Sequence, residues 1–316
     1  MVWNGSNTSD GVLREDGLHS LYIIQAILYA LLTTLSLFAD CFCLYILHRA
    51  RDLNETTRVL IISLVASDLC VGIFGLAPLA WTSSVGGWPE PQHPSCELHM
   101  FALQLFQYCG LSAVMLLITE CYVAITHPME YTTIVTRKRT IIIIVMQWTF
   151  WVIWGITMYC VFHQDVHFDK HYGLCVLQQS TKKLMFVVIG AIFHIFLPVT
   201  VVIVMYTRIW YIARQHVARI SARNNVQQDD DTVPWRKRDR KAMYSFLLVT
   251  ISLTILWIPF TVIEMYETVT SRALPDVVVW IGESLEFSIP WINVFILFFK
   301  HRAIKTAARS LPCCQQ

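Results

Sequence analysis

Seven stretches of this chain are each long and apolar enough to cross a lipid bilayer, which leaves few folds open to it. A helix needs about 20 apolar residues to span ~30 Å of hydrocarbon, and the windows 20–47, 57–81, 97–125, 140–162, 184–211, 243–268 and 277–299 all qualify. Inside a bilayer each backbone N–H and C=O must find its partner within the protein, so such windows fold as helices. The expected fold class is all-α, a seven-transmembrane helix bundle with a short amphipathic cytoplasmic helix after the seventh span. The 55% hydrophobic and 15% charged content, with mean hydropathy +0.52, agrees with burial in lipid rather than with a soluble core.

Seven crossings put the two termini on opposite sides, and basic residues decide which side is which. Of the 24 Lys and Arg residues, only Arg14, Lys170, Lys182, Lys183 and Arg272 lie on the side of the N-terminus. Cytoplasmic loops keep positive charge, so the N-terminus is expected outside a plasma membrane crossed many times. This divides the chain into an extracellular N-terminus (1–19), a membrane domain (20–299) and an amphipathic helix with cytoplasmic tail (300–316). The sequons Asn4-Gly5-Ser6 and Asn7-Thr8-Ser9 then face the lumen and mark Asn4 and Asn7 for glycosylation, whereas Asn54-Glu55-Thr56 should be silent. The first apolar segment is too long for a cleavable leader and serves as the insertion signal itself.

The same topology sorts the ten cysteines. Cys96 and Cys175 are the two on the oxidising side and are expected to form a disulfide. Cys41, Cys43, Cys70, Cys109, Cys121 and Cys160 fall within spans, where a thiol packs as a small apolar group. Cys313 and Cys314 follow the amphipathic stretch 300–311 and are expected to carry palmitate that pins it to membrane lipid. The other reading of that pair is a frayed tail with two exposed thiols.

Landmarks recur in register with the spans. The second has Leu64-Val65-Ala66-Ser67-Asp68-Leu69, and the third opens at Cys96 and closes on Glu120-Cys121-Tyr122 followed by Ala124-Ile125-Thr126-His127-Pro128-Met129-Glu130-Tyr131. Trp148 marks the fourth, Pro198 and Tyr206 the fifth, Leu256-Trp257-Ile258-Pro259 the sixth and Asn293 the seventh. With these in order along nearly its whole length, the chain resembles the rhodopsin-like (class A) G-protein-coupled receptors. The resemblance implies an extracellular ligand bound between the helices and a sixth span that swings about Pro259 under Trp257. It also implies a heterotrimeric G protein, and arrestin, docking where Glu120, Cys121, Tyr122, Pro128 and Tyr206 lie.

Departures from the family pattern concern transmission. Cys121 stands where the family has arginine, and a thiol cannot make a bidentate guanidinium's bonds. The seventh span reads Asn293-Val294-Phe295-Ile296-Leu297 in place of Asn-Pro-x-x-Tyr, without that kink and phenol. In the mid-membrane polar site, Asp40 replaces the family's asparagine opposite Asp68 and Asn293. Gly110, Ile289 and Pro290 occupy positions that are often polar in relatives, so sodium would be held poorly. Two readings stay open there: a carboxylate pair sharing one proton, or a single hydrogen-bonded acid facing water.

For the ligand, the informative residues are acids in the half of the bundle near Cys96. Glu264 lies two helical turns from Trp257, Glu286 two from Asn293, and Glu283 one turn beyond Glu286. Ionisable groups at membrane depth are costly and normally face a cavity, so three of them point to a cationic partner. The alternative, a carboxylate snorkelling or lysine-paired at the rim, fits Glu264 and Glu283 better than Glu286. Leu103 stands where receptors of the aminergic type carry aspartate, and Phe287 where opsins carry their lysine, which argues against a biogenic amine and against covalent retinal and leaves peptides, other small cations and lipids open. With Trp257 these residues make the candidate ligand site.

His163, His167 and His171, interleaved with Asp165 and Asp169, offer proton or zinc modulation, though scattered solvated histidines are the plainer reading. There is no Gly-rich phosphate loop, zinc tetrad or paired nucleophile and base, so neither catalysis, a metal, a cofactor nor nucleic acid is expected. Two alternatives to a coupled receptor are a signalling-impaired receptor that scavenges ligand or modulates a partner, and an ion transporter or channel using Asp40, Asp68 and Glu286. The odd span count and lack of an inverted repeat weigh against the second.

Overall fold

The structure is a computed structural model that describes residues 8–49, 53–88, 94–169, 171–223, 234–300 and 304–306. Seven helical spans run through it: Ile23–Arg49, Glu55–Val85, Pro94–Thr126, Arg137–Asp165, Thr181–Arg208, Leu247–Thr270 and Asp276–Phe299, numbered here spans 1 to 7. Asn4, Asn7, Cys313 and Cys314 lie outside the described residues. The helix carrying span 1 begins at Thr8, well before residue 20, because no proline interrupts the chain there. Beyond span 7, the described part of the amphipathic stretch seats Ile304 against the core, almost fully buried.

Span 3 is central, touching spans 2, 4, 5 and 6, while span 1 packs on spans 2 and 7. Glycines set how closely some helices meet. A Cβ at Gly110 would sit 3.1 Å from Ser67 Oγ and 3.3 Å from Asp68 Oδ1, so the missing side chain is what lets span 3 approach span 2 at mid-membrane. At Gly282 a Cβ would come within 2.8 Å of Ile263 Cδ1 and 3.4 Å of Phe260 Cα, and its absence draws span 7 onto span 6. Apolar side chains face outward as well as inward: Phe38, Leu31, Met146, Ile153 and Phe196 are all exposed. A surface of that kind suits hydrocarbon, not water.

Prolines shape the helices in three ways. Just before Pro78 and Pro198, the segments Gly72–Leu76 and Ile192–Phe196 relax into π-helical turns, since each proline leaves the carbonyl four residues earlier without its donor. Span 6 carries Pro259 inside an unbroken helix. Span 7 is interrupted: one helix ends at Glu286 and the next begins at Ile289. A kink is therefore present after all, one turn before the position occupied by Val294, because Pro290 has no N–H for the carbonyl of Glu286.

Between spans 4 and 5 the chain forms a small antiparallel hairpin, β1 (Val166–Asp169) and β2 (Leu174–Leu177), with Phe168 opposite Cys175. Gly173 makes its turn at φ +69°, a left-handed conformation that glycine adopts without steric cost. The Cys96–Cys175 disulfide ties β2 to the start of span 3. This end of the bundle is called the disulfide end below.

Candidate functional site

At the disulfide end the helices enclose a cavity of about 110 Å³, roofed by Leu174, Val176 and Leu177 of β2 and floored by Trp257. Leu103, Trp257, Glu264, Glu283, Glu286 and Phe287, the candidate ligand residues, all line it. Glu283 is no rim carboxylate. It is 1% exposed, and Tyr29 Oη donates to its Oε2 at 2.6 Å. Glu286 is 6% exposed and accepts from Gln107 Nε2 through Oε1 at 2.7 Å. Among the described residues, Glu283 Oε1 and Glu286 Oε2 have no hydrogen-bond partner. Glu264 is half-buried and feels the charge of Lys183.

The floor is a ladder of rings. Trp257 stacks on His194 with centroids 3.7 Å apart, His194 on Tyr108 at 4.4 Å, and Tyr108 on Trp151 at 4.5 Å. Trp257 thus closes a stack running through spans 4, 3, 5 and 6. His194 comes from the π-helical turn of span 5 and lines the cavity. It is buried, and its Nε2 has no partner among the described residues.

Over spans 6 and 7 the hairpin turn is strapped down by His171. Its Nδ1 lies 2.5 Å from Asp276 Oδ1 and its Nε2 3.1 Å from Glu267 Oε1, while Trp280 Nε1 donates to its carbonyl at 3.1 Å. Tyr172 Oη donates to Glu267 Oε2, and the Leu274 amide donates to Glu267 Oε1 at 2.5 Å. Burial alone would lower the His171 pKa, but the hydrogen bonds and charges of Glu267 and Asp276 together raise it. Burial, then the bond to Glu267, pushes the Tyr172 phenol up. The other two histidines do not join this group: His163 stacks on Tyr159 at 5.3 Å, and His167 lies in β1.

At mid-membrane Asn293 Nδ2 donates to Asp68 Oδ2 at 3.1 Å. Asp40 is fully buried, and neither of its oxygens meets a hydrogen-bond partner among the described residues.

At the opposite end Glu120 Oε1 collects Thr56 Oγ1 at 2.5 Å, Thr57 Oγ1 at 2.9 Å and Tyr131 Oη at 2.9 Å. Asn54 Nδ2 in turn donates to Tyr131 Oη at 2.7 Å. Burial, followed by the charge of Glu120, raises the Tyr131 pKa. Cys121 is buried in the apolar core with Leu117, Ile118 and half-buried Tyr206. Tyr122 and Pro128 are partly exposed nearby.

The hydrogen-bonding partners were not legible beforehand. Tyr29, Gln107, Thr56, Thr57 and Tyr131 carry these polar contacts at the two ends. The signal for most of them was only a polar side chain within or beside an apolar window. Thr56, in a sequon, and Tyr131 already stood in recognised motifs.

Residues 39–296 match the model of the 7 transmembrane receptor (rhodopsin family). The chain is 24% identical over 299 residues to trace amine-associated receptor 9 of Rattus norvegicus, covering 89% of this chain and 86% of that one. It is 23% identical to probable G-protein coupled receptor 21 of Mus musculus, covering 84% and 77% of the two chains. With 5-hydroxytryptamine receptor 1B of Vulpes vulpes it shares 24% identity over 67% of this chain and 54% of the other. Seven spans enclosing a cavity beneath a disulfide-tethered hairpin, together with a family match across most of the chain, place this protein in the rhodopsin family of seven-transmembrane G-protein-coupled receptors.

Proposed function

We propose that this receptor binds a small cationic ligand in the disulfide-end cavity, with that end outside the plasma membrane and the N-terminus extracellular. The observation that carries the reading is electrostatic. Glu264, Glu283 and Glu286 line one cavity, and among the described residues no Lys or Arg lines it. Buried carboxylates are costly unless a cation joins them. Relatives named for trace amines and 5-hydroxytryptamine are in keeping with an amine. Leu103 moves the counter-charge in this chain from span 3 to spans 6 and 7.

Occupancy acts on Trp257 through the His194 stack and biases span 6 about Pro259, the ligand's work being its difference in affinity for two states. The opposite end, with Glu120, Cys121, Tyr122, Pro128 and Tyr206, meets a heterotrimeric G protein and arrestin. Residues 1–19 carry sugar at Asn4 and Asn7, the 20–299 domain carries the signal, and 300–316 is held to lipid by palmitate on Cys313 and Cys314. Asp40, Asp68 and Asn293 form a mid-membrane polar site that tunes the equilibrium.

The test is an amine screen on cells expressing the native chain or Cys121→Arg, with G-protein and arrestin readouts in parallel. The expected result is a native G-protein response to at least one amine, abolished by Glu286→Gln. A native chain silent in both readouts that responds as Cys121→Arg is the signalling-impaired receptor instead.

A further inference from the structure

We infer that the cavity ligand carries two cationic centres, as a short straight-chain diamine does, rather than the single charge of a monoamine. This rests on the cationic reading above and specifies it.

Glu264 already has Lys183 acting on it. Among the described residues on the cavity wall, Glu283 and Glu286 have no such neighbour. They stand three residues apart on one helical face, an axial rise of about 4.5 Å. Each keeps one buried oxygen without a partner among the described residues. A single ammonium in contact with one of them leaves the other carboxylate in low dielectric with no counter-charge, and breaking up or omitting half of a buried pair is the expensive case. Two ammonium groups satisfy both.

A second observation independent of the acids points the same way. His194 Nε2, on span 5, is more than nine-tenths buried, lines the same cavity and lacks a partner among the described residues. A neutral imidazole nitrogen of this kind can accept a hydrogen bond. Among the described residues, the buried polar atoms left unsatisfied on the cavity wall are two carboxylate oxygens and the ring nitrogens His194 Nε2 and His99 Nδ1, and a ligand rich in N–H donors is their complement. Between them Leu103, Phe260 and Phe287 supply an apolar sleeve for a methylene chain.

The experiment measures thermal stabilisation of the purified full-length protein in detergent by straight-chain diamines of three to six carbons, each against the amino alcohol of equal length, which keeps the chain and removes one charge. The best diamine is expected to act at about tenfold lower concentration than its amino alcohol. Glu283→Gln and Glu286→Gln are each expected to erase the diamine's advantage over its amino alcohol. An amino alcohol as potent as its diamine on the native chain overturns the two-charge inference and leaves the cationic reading standing. Stabilisation by none of these compounds, nor by any monoamine, removes the cationic reading itself. The comparison on the native chain needs no variant, so a poorly folding Gln substitution does not protect the proposal.

Discussion

Glu283 and Glu286 each give one oxygen to an internal donor and keep the other without one among the described residues, whereas Glu120, at the far end of the bundle, gathers three hydroxyls on a single oxygen. All three carboxylates are buried, yet they are solvated differently. The disulfide end keeps acceptor capacity for a mobile partner. The opposite end instead gives its acid fixed donors, the hydroxyls of Thr56, Thr57 and Tyr131, next to the buried thiol of Cys121.

The largest effect should come from the covalent tether that, among the described residues, only the disulfide end possesses. Cys96→Ser opens a link between residues 79 apart, and removing a native disulfide typically costs roughly 2–5 kcal/mol. Thermal inactivation in detergent should fall accordingly, and ligand stabilisation should be lost because β2 roofs the cavity. Helical content by circular dichroism should persist, since the seven spans hold their own backbone hydrogen bonds. A variant that retains full ligand stabilisation would show that the hairpin does not shape the site.

A smaller effect tests the two modes of solvation directly. Removing hydroxyls in Thr56→Val with Tyr131→Phe leaves Glu120 short of donors, at about 1–3 kcal/mol for a buried group left unsatisfied. Gln107→Leu does the same to Glu286. Both variants should lose stability without ligand, but a cationic ligand should restore only the Gln107→Leu protein, because the cation enters the one end and not the other. Equal rescue of both, measured as melting temperature with and without amine, would break the contrast between the ends.

Much of this was legible in sequence, for identifiable reasons. Bilayer thickness sets the length of an apolar run, so hydropathy alone reveals seven spans. Glu264, Glu283 and Glu286 stood out because charge at membrane depth is rare. Their partners did not: Tyr29 and Glu283 are 254 residues apart, Gln107 and Glu286 179, and no periodicity links residues across such distances. Glu283 looked as suited to the rim as to the cavity, since position along a helix gives depth but not which neighbour faces it. The break after Glu286 was hidden for a different reason. Pro290 was weighed as a missing polar side chain, while its missing N–H is what interrupts span 7. The His171 strap depends on a hairpin turn that brings loop and helix ends together, and the interleaved His and Asp residues gave no hint of which pairs would meet.

The smallest effect concerns that strap, which gives the disulfide end a pH dependence that begins near neutrality. His171 is faced by Glu267 of span 6 and Asp276 of span 7, with Asp169 accepting from its amide and the Tyr172 ring edge-on beside it, Lys183 lying over that ring. Its folded pKa is raised above the ordinary 6.5 by the two carboxylates despite opposing burial. A raised pKa means that the imidazolium favours the folded state. The stabilisation is complete below the unfolded value and disappears as pH climbs through the folded one. The melting temperature of the native protein should therefore exceed that of His171→Gln most at about pH 6 and converge with it under alkaline conditions. Partial exposure and salt screening keep the difference to a few degrees. A gap between the two proteins that stays constant with pH would mean that His171 holds the hairpin through its ring packing and backbone carbonyl alone.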